Sequence, residues 1–130
     1  MSFLHLSKAQ ILRAHARTLA KQGGSEGIRD MGMLDAALAM PQATYGGTLL
    51  HPTLEAQAAA YLYHLCQNHP FIDGNKRVAA LAMLVFCDIN GYRVALNNAQ
   101  LEKLVMDTAA SRITKAVITE VIHNALELHR

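Results

Sequence analysis

Strand signals are almost missing from this chain of 130 residues, and their scarcity argues against sandwiches, barrels and sheet-centred folds. Cysteines are scarce too. Only Cys66 and Cys87 occur, in helical segments far apart, with neither a C-x-x-C pair nor a zinc-site spacing. A reducing compartment suits them. Lys and Arg do not cluster: the net charge is +2 and the basic side chains are spread along the chain. The basic stripe typical of duplex binding is lacking, so no direct nucleic-acid binding is expected. The longest strictly apolar run, Val78 to Cys87, is too short to span a bilayer and lies between Arg77 and Asp88. The first residues, MSFLHLSKAQ, lack the apolar stretch that follows the basic start of a signal peptide. A cytoplasmic protein is the expectation. No repeat, low-complexity tract or linker divides the chain, so residues 1–130 are expected to form one domain.

What is present is a helical, globular composition: 52% of residues are hydrophobic and 17% charged, enough to build a core. Ser7-x-x-Gln10 is a capping-box pattern and Gly23-Gly24 a stop, so a first helix fills the interval with Ile11, Leu12, His15 and Leu19 on one face. A short second helix follows Asp30, carries Leu34, Ala37 and Leu38, and ends before Pro41. The stretch from Pro41 to Pro52 reads as a loop or small hairpin turning at Gly46-Gly47. Thr53 caps a third helix running to about Asn68, with Leu54, Ala58, Tyr61, Leu62 and Leu65 inward. A fourth starts near Asn75 and stops at Asn90-Gly91. Its middle, VAALAMLVFC, is apolar on every side, as expected of a central helix. Leu101, Leu104 and Val105 mark a fifth helix. Val117, Ile118, Val121, Ile122, Ala125 and Leu126 mark a sixth, capped at Thr114. The fold class is therefore all-α, with at most one small hairpin.

Chemistry concentrates in one place: His69-Pro70-Phe71-Ile72-Asp73-Gly74-Asn75-Lys76-Arg77, or HPFIDGNKR. Gly74 breaks the helical pattern, so this loop runs into a helix start whose unpaired N–H groups and dipole favour an anion. Glycine lets the backbone curl around a phosphate. Asn75 can donate to it, while Lys76 and Arg77 add positive charge. Asp73 would repel phosphate on its own but fits when Mg²⁺ bridges the two. His69 can take a proton from a hydroxyl at neutral pH. Together these are the parts of phosphoryl or nucleotidyl transfer.

Each residue also has a plain structural reading. Asp73 or Asn75 could be an ordinary helix cap, His69 a hydrogen-bond donor at a helix end, and Phe71 a core anchor. Lys76 and Arg77 could be solvated, although cations are unfavourable at a helix N-terminus. These readings explain the residues singly and leave their conjunction unexplained.

HPFIDGNKR resembles the signature of the Fic/Doc family, H-P-F-x-[D/E]-G-N-x-R, at every fixed position. The upstream GIRDMGMLDAALAMPQATYGG resembles the segment leading into the family's substrate-binding flap. The resemblance covers most of the chain and implies a compact six-helix Fic/Doc core, with a central helix after the motif loop and a small β-hairpin flap. Carried over, it makes His69 the base, Asp73 the Mg²⁺ ligand, and Gly74, Asn75, Lys76 and Arg77 the phosphate and nucleotide contacts. Most members transfer AMP from ATP to a protein hydroxyl, using a G-N-G-R-x-x-R pattern. Here Lys76 stands at the third position and Ala80 replaces the second arginine.

Asn75-Lys76-Arg77 is instead similar to the death-on-curing (Doc) branch. That likeness implies a toxin kinase passing the terminal phosphate of ATP to a threonine of elongation factor Tu, which stops translation. Doc carries alanine where this chain has Gly74. The inhibitory pattern of many Fic proteins, [S/T]-x-x-x-E-[G/N], is missing, since Gln22 lies four residues before Glu26-Gly27. The resemblance thus implies restraint by a separate antitoxin, as in a type II toxin–antitoxin pair. AMP transfer and a catalytically inactive binding module stand as the alternatives. The seven histidines give no helical i, i+4 metal pair: His64 and His69 are five apart, and His123 and His129 six. The Pro41–Pro52 loop reads either as an ordinary connection or as an edge that holds a target segment by strand addition.

Overall fold

The computed structural model describes residues 2–129. Its helices are α1 (Lys8–Gln22), α2 (Met31–Ala39), α3 (Leu54–Asn68), α4 (Asn75–Ile89), α5 (Asn98–Ala109) and α6 (Lys115–Ala125). Their starts follow local chemistry. Ser7 Oγ accepts from the Gln10 amide at 3.2 Å while Gln10 Oε1 accepts from the Ser7 amide at 2.7 Å, closing the capping box. Thr53 and Thr114 cap α3 and α6, Asp30 caps α2, and Asn97 with Gln100 forms a second capping box on α5. Met40–Gln42 tightens into one 3-10 turn around the buried Pro41.

Two helices share the centre. α3 packs against α2, α4, α5 and α6, and α4 also meets α1 and α5. Tyr61, Leu62 and Leu65 of α3 and Val78, Met83 and Phe86 of α4 are buried together. Full burial of side chains of this size contributes about 1.5–3 kcal/mol each. On α4 the apolar residues Leu81, Leu84 and Val85 are half-buried, with Leu84 and Val85 packed against the margin of this core.

The expected hairpin is present as β1 (Thr44–Tyr45) paired antiparallel with β2 (Thr48–Leu49), and all four residues are exposed. A second ladder departs from the sequence expectation. β3 (Tyr92–Val94) pairs antiparallel with β4 (Leu126–Leu128), in the register Tyr92↔Leu128, Arg93↔Glu127, Val94↔Leu126. Leu126 therefore leaves the sixth helix and enters a strand, which ties the chain's last segment to the end of α4. Among the described residues the fold is mostly helical, with two small ladders rather than one. Cys66 and Cys87 are buried free thiols, and burial pushes both up to about 12.

Candidate active site

Between α3 and α4 the chain is stitched to residues 27–30, just before α2. The Ile72 amide donates to the Gly27 carbonyl at 3.1 Å, and the Arg29 and Asp30 amides donate to the Pro70 carbonyl at 2.8 and 3.0 Å. Phe71 pairs with Ile28 and is fully buried. The loop is held by its backbone on one side and by Phe71 in the core on the other.

α3 ends on His69 in the left-handed region, at φ 47°. A side chain other than glycine seldom adopts this conformation without support. Arg29 supplies it: its Nε donates to the His69 carbonyl at 2.5 Å and its Nη2 to the Asn68 carbonyl at 2.7 Å. A cation against the last carbonyls of a helix also complements the dipole. The His69 ring is exposed, and its Nδ1 lies 3.4 Å from the Cys66 carbonyl. A carbonyl only accepts, so Nδ1 carries the hydrogen in that contact, and in the neutral ring the lone pair is then on Nε2. That is the tautomer a general base needs.

The Asp73 carboxylate accepts from the Ser25 amide at 3.2 Å through Oδ2 and from the Gly74 amide at 2.8 Å through Oδ1. These two amides, Ser25 first, hold its carboxyl below the ordinary carboxylate range, with Arg77 and His15 adding a favourable field. Asp73 is thus fixed as an anion with lone pairs to spare. Gly24 makes room for it: a Cβ there would stand 2.7 Å from Asp73 Oδ2, on a backbone with φ +123°.

Gly74, left-handed at φ 81°, is the N-cap of α4 and supplies no side-chain cap. Neither Asp73 nor Asn75 caps the helix. The other five helices each begin under a side-chain oxygen. At α4 the first-turn amides are left for another acceptor. Asn75 is buried and clamps the loop, with Oδ1 accepting from the Phe71 amide and Nδ2 donating to the Phe71 carbonyl, both at 2.9 Å. Its side chain is engaged with the backbone, so its own amide is the group directed along the helix start. Lys76 is exposed and pairs with no carboxylate among the described residues. Arg77 is half-buried and donates through Nη1 to Gln22 Oε1 at 3.0 Å and to the Gly23 carbonyl at 3.4 Å.

One open cavity of about 490 Å³ is lined by His69, Asp73, Gly74, Asn75, Lys76 and Arg77 together. Arg29 lines the same cavity, and Met106 and Ala109 of α5 with Ala110 just past its end form an apolar wall. Such a combination of apolar wall and convergent polar groups is usual for small-molecule sites. Sequence reasoning missed Arg29, Ser25 and the α5 wall. Nothing local marks them, because each acts across a tertiary contact. Among the described residues no group of three His, Cys, Asp or Glu side chains could hold a metal by itself. A lone carboxylate beside an uncapped helix start still suits Mg²⁺, which commonly takes one or two carboxylates and completes its shell with substrate oxygens and water. Among the described residues, no helix is long and apolar enough to cross a membrane.

A mostly helical frame with this loop between its two central helices defines the Fic/DOC class. The Fic/DOC family model matches residues 5–87, and the chain belongs to that family, as HPFIDGNKR indicated. Over 73 residues it is 49% identical to Toxin Doc of Mycolicibacterium smegmatis, a match covering 56% of this chain and 56% of that protein. The match thus spans little more than half of that relative's length. It is also 26% identical over 118 residues to Protein kinase doc of Escherichia phage P1, covering 91% of this chain and 92% of that one.

Proposed function

We propose that this chain is a Doc-like toxin kinase, which transfers the terminal phosphate of ATP to a hydroxyl group of a target protein. The observation that carries the reading is the single cavity in which His69, Asp73, Lys76 and Arg77 meet the uncapped start of α4. The names of the two relatives, a toxin and a protein kinase, support the same class.

In this mechanism the amides at the start of α4, with Lys76 and Arg77, cradle the ATP phosphates and spread the charge of the transition state. Asp73 would hold Mg²⁺, which supplies charge neutralisation on the phosphate oxygens when bound. His69 Nε2 takes the proton of the target hydroxyl as its oxygen bonds to the terminal phosphorus. The bond from that phosphorus to the bridging oxygen breaks, and ADP leaves with the electron pair. The imidazolium then returns its proton to solvent. Ala80 offers no guanidinium one turn along α4, whereas Lys76 places a mobile cation at the cavity edge.

The target in this reading is a threonine of elongation factor Tu, whose modification would inhibit translation. The exposed β1–β2 hairpin offers an edge for strand addition of the target segment. A cognate antitoxin would restrain the enzyme in a type II pair in the cytoplasm. The test supplies purified protein, Mg²⁺ and elongation factor Tu with ATP labelled at its terminal or its first phosphate. Label from the terminal phosphate alone supports the kinase. Label from the first phosphate means AMP transfer and overturns it. No label on elongation factor Tu, with terminal-phosphate label on another protein of a cell extract, overturns the target alone.

A further inference from the structure

His15 is a polar residue on the inward face of α1, and it is buried, with 6% of its surface exposed. A buried imidazole is costly unless its nitrogens find partners. Its ring lies flat on Phe71, centroids 3.7 Å apart and planes 10° apart. Its Nε2 sits 2.7 Å from the carbonyl oxygen of Asp73, fifty-eight residues further along the chain. That oxygen can only accept, so Nε2 carries the hydrogen whether the ring is neutral or cationic. A Cβ on Gly74 would meet the same ring at 3.5 Å.

The Asp73 carbonyl and the Gly74 amide belong to one rigid peptide plane. His15 holds the oxygen at one edge of that plane. At the other edge the Gly74 N–H donates to Asp73 Oδ1 at 2.8 Å. Turning the plane would withdraw this amide from the carboxylate and move the first residue of the phosphate cradle with it. Phe71, the core anchor of the loop, cannot set the plane, because its ring offers only a stacking face. The hydrogen bond from His15 does.

We propose that His15 is a positioning residue. By fixing the Asp73–Gly74 peptide plane from outside the cavity, it aims the Asp73 carboxylate at the ion and the helix start at the phosphates. The proposal rests on the reading of Asp73 as the ion's ligand.

The test uses the full chain with Mn²⁺ in place of Mg²⁺ and a non-hydrolysable ATP analogue, and reads bound Mn²⁺ from water-proton relaxation without turnover. His15→Phe keeps an aromatic stack and removes the donor. It is expected to weaken Mn²⁺ binding about tenfold, the scale of one hydrogen bond, while the fold is kept by circular dichroism. His15→Gln, whose amide can donate toward the same carbonyl, is expected to recover most of that loss. A residue that only filled space would give the opposite order. Should the phenylalanine prevent folding, His15→Met removes the donor with a slimmer side chain and carries the same expectation. Wild-type Mn²⁺ affinity in a folded donor-less variant overturns the role of His15 and leaves the ion reading standing. A wild type that binds no Mn²⁺, indistinguishable from Asp73→Ala, overturns both.

Discussion

Arg29 and His69 lie forty residues apart in sequence, yet Arg29 Nε donates to the His69 carbonyl at 2.5 Å. The bond closes the end of α3 on a residue whose left-handed backbone needs outside support. Arg29→Ala is expected to lower kcat about tenfold, because the imidazole loses its fixed origin rather than its chemistry. Steady-state kinetics on labelled ATP checks this, with the nucleotide KM unmoved. A rise in KM at constant kcat would mean that the guanidinium serves the substrate instead.

His69→Ala and Asp73→Ala are each expected to reduce transfer by about a hundredfold or more, since in the proposed mechanism one removes the base and the other the ion's carboxylate. The two differ in what survives. Binding of the ATP analogue in the presence of Mg²⁺ should persist in His69→Ala and fall in Asp73→Ala, as titration calorimetry would read directly. Full turnover in either variant sinks the site assignment.

Lys76→Gly removes a cation at the cavity edge whose side chain, unlike those of Arg29 and Arg77, makes no hydrogen bond or ion pair among the described residues. Terminal-phosphate transfer is expected to drop about tenfold or more, the scale of one electrostatic contact to the transferring group. Label from the first phosphate is expected to appear if that charge sets the direction in which the nucleotide lies. Wild-type phosphorylation would dismiss a role for Lys76.

A pH effect arises away from the cavity. Lys115 Nζ lies 2.8 Å from His64 Nε2, and an ammonium can only donate, so this nitrogen must accept and the ring must be neutral. Burial first, then the charges of Lys115 and His51, lower the His64 pKa from 6.5 to about 4. The unfolded chain therefore binds a proton that the folded one refuses between these values. The contribution is complete above about pH 6.5 and is lost as pH falls toward about 4. Thermal melts should show a falling midpoint across that window, with a shallower slope in His64→Gln, which keeps an acceptor for Lys115. An equal slope in both proteins would place the acid sensitivity elsewhere.

Much of this architecture is legible in the sequence because its punctuation is local. Ser7-x-x-Gln10, Thr53, Thr114 and Asn90-Gly91 mark helix ends through contacts made within a turn, and each boundary falls where those residues put it. HPFIDGNKR is equally local and places eight cavity residues on one loop and the helix start it runs into. Leu126 shows the limit. It continues the apolar spacing of α6, and only the pairing with Val94 of β3, distant in sequence, draws it into a strand. Arg29 and His15 are illegible for the same reason: their partners, the carbonyls of His69 and Asp73, are backbone atoms with no sequence signature. Asn75 carries a subtler lesson, because its amide side chain is spent on Phe71 rather than held out to a ligand.

The start of α4 has a thermodynamic corollary. A missing cap typically costs a helix about 1 kcal/mol, and α4 is one of the two central helices of the core. An anion seated on those amides would do the work that Ser7, Asp30, Thr53, Asn97 and Thr114 do elsewhere. Nucleotide and folding are then linked equilibria, and each should report on the other: saturating the cradle raises resistance to unfolding by an amount set by ligand concentration over Kd. Under the proposed function the substrate would become, for the length of its stay, a residue of the helix it visits.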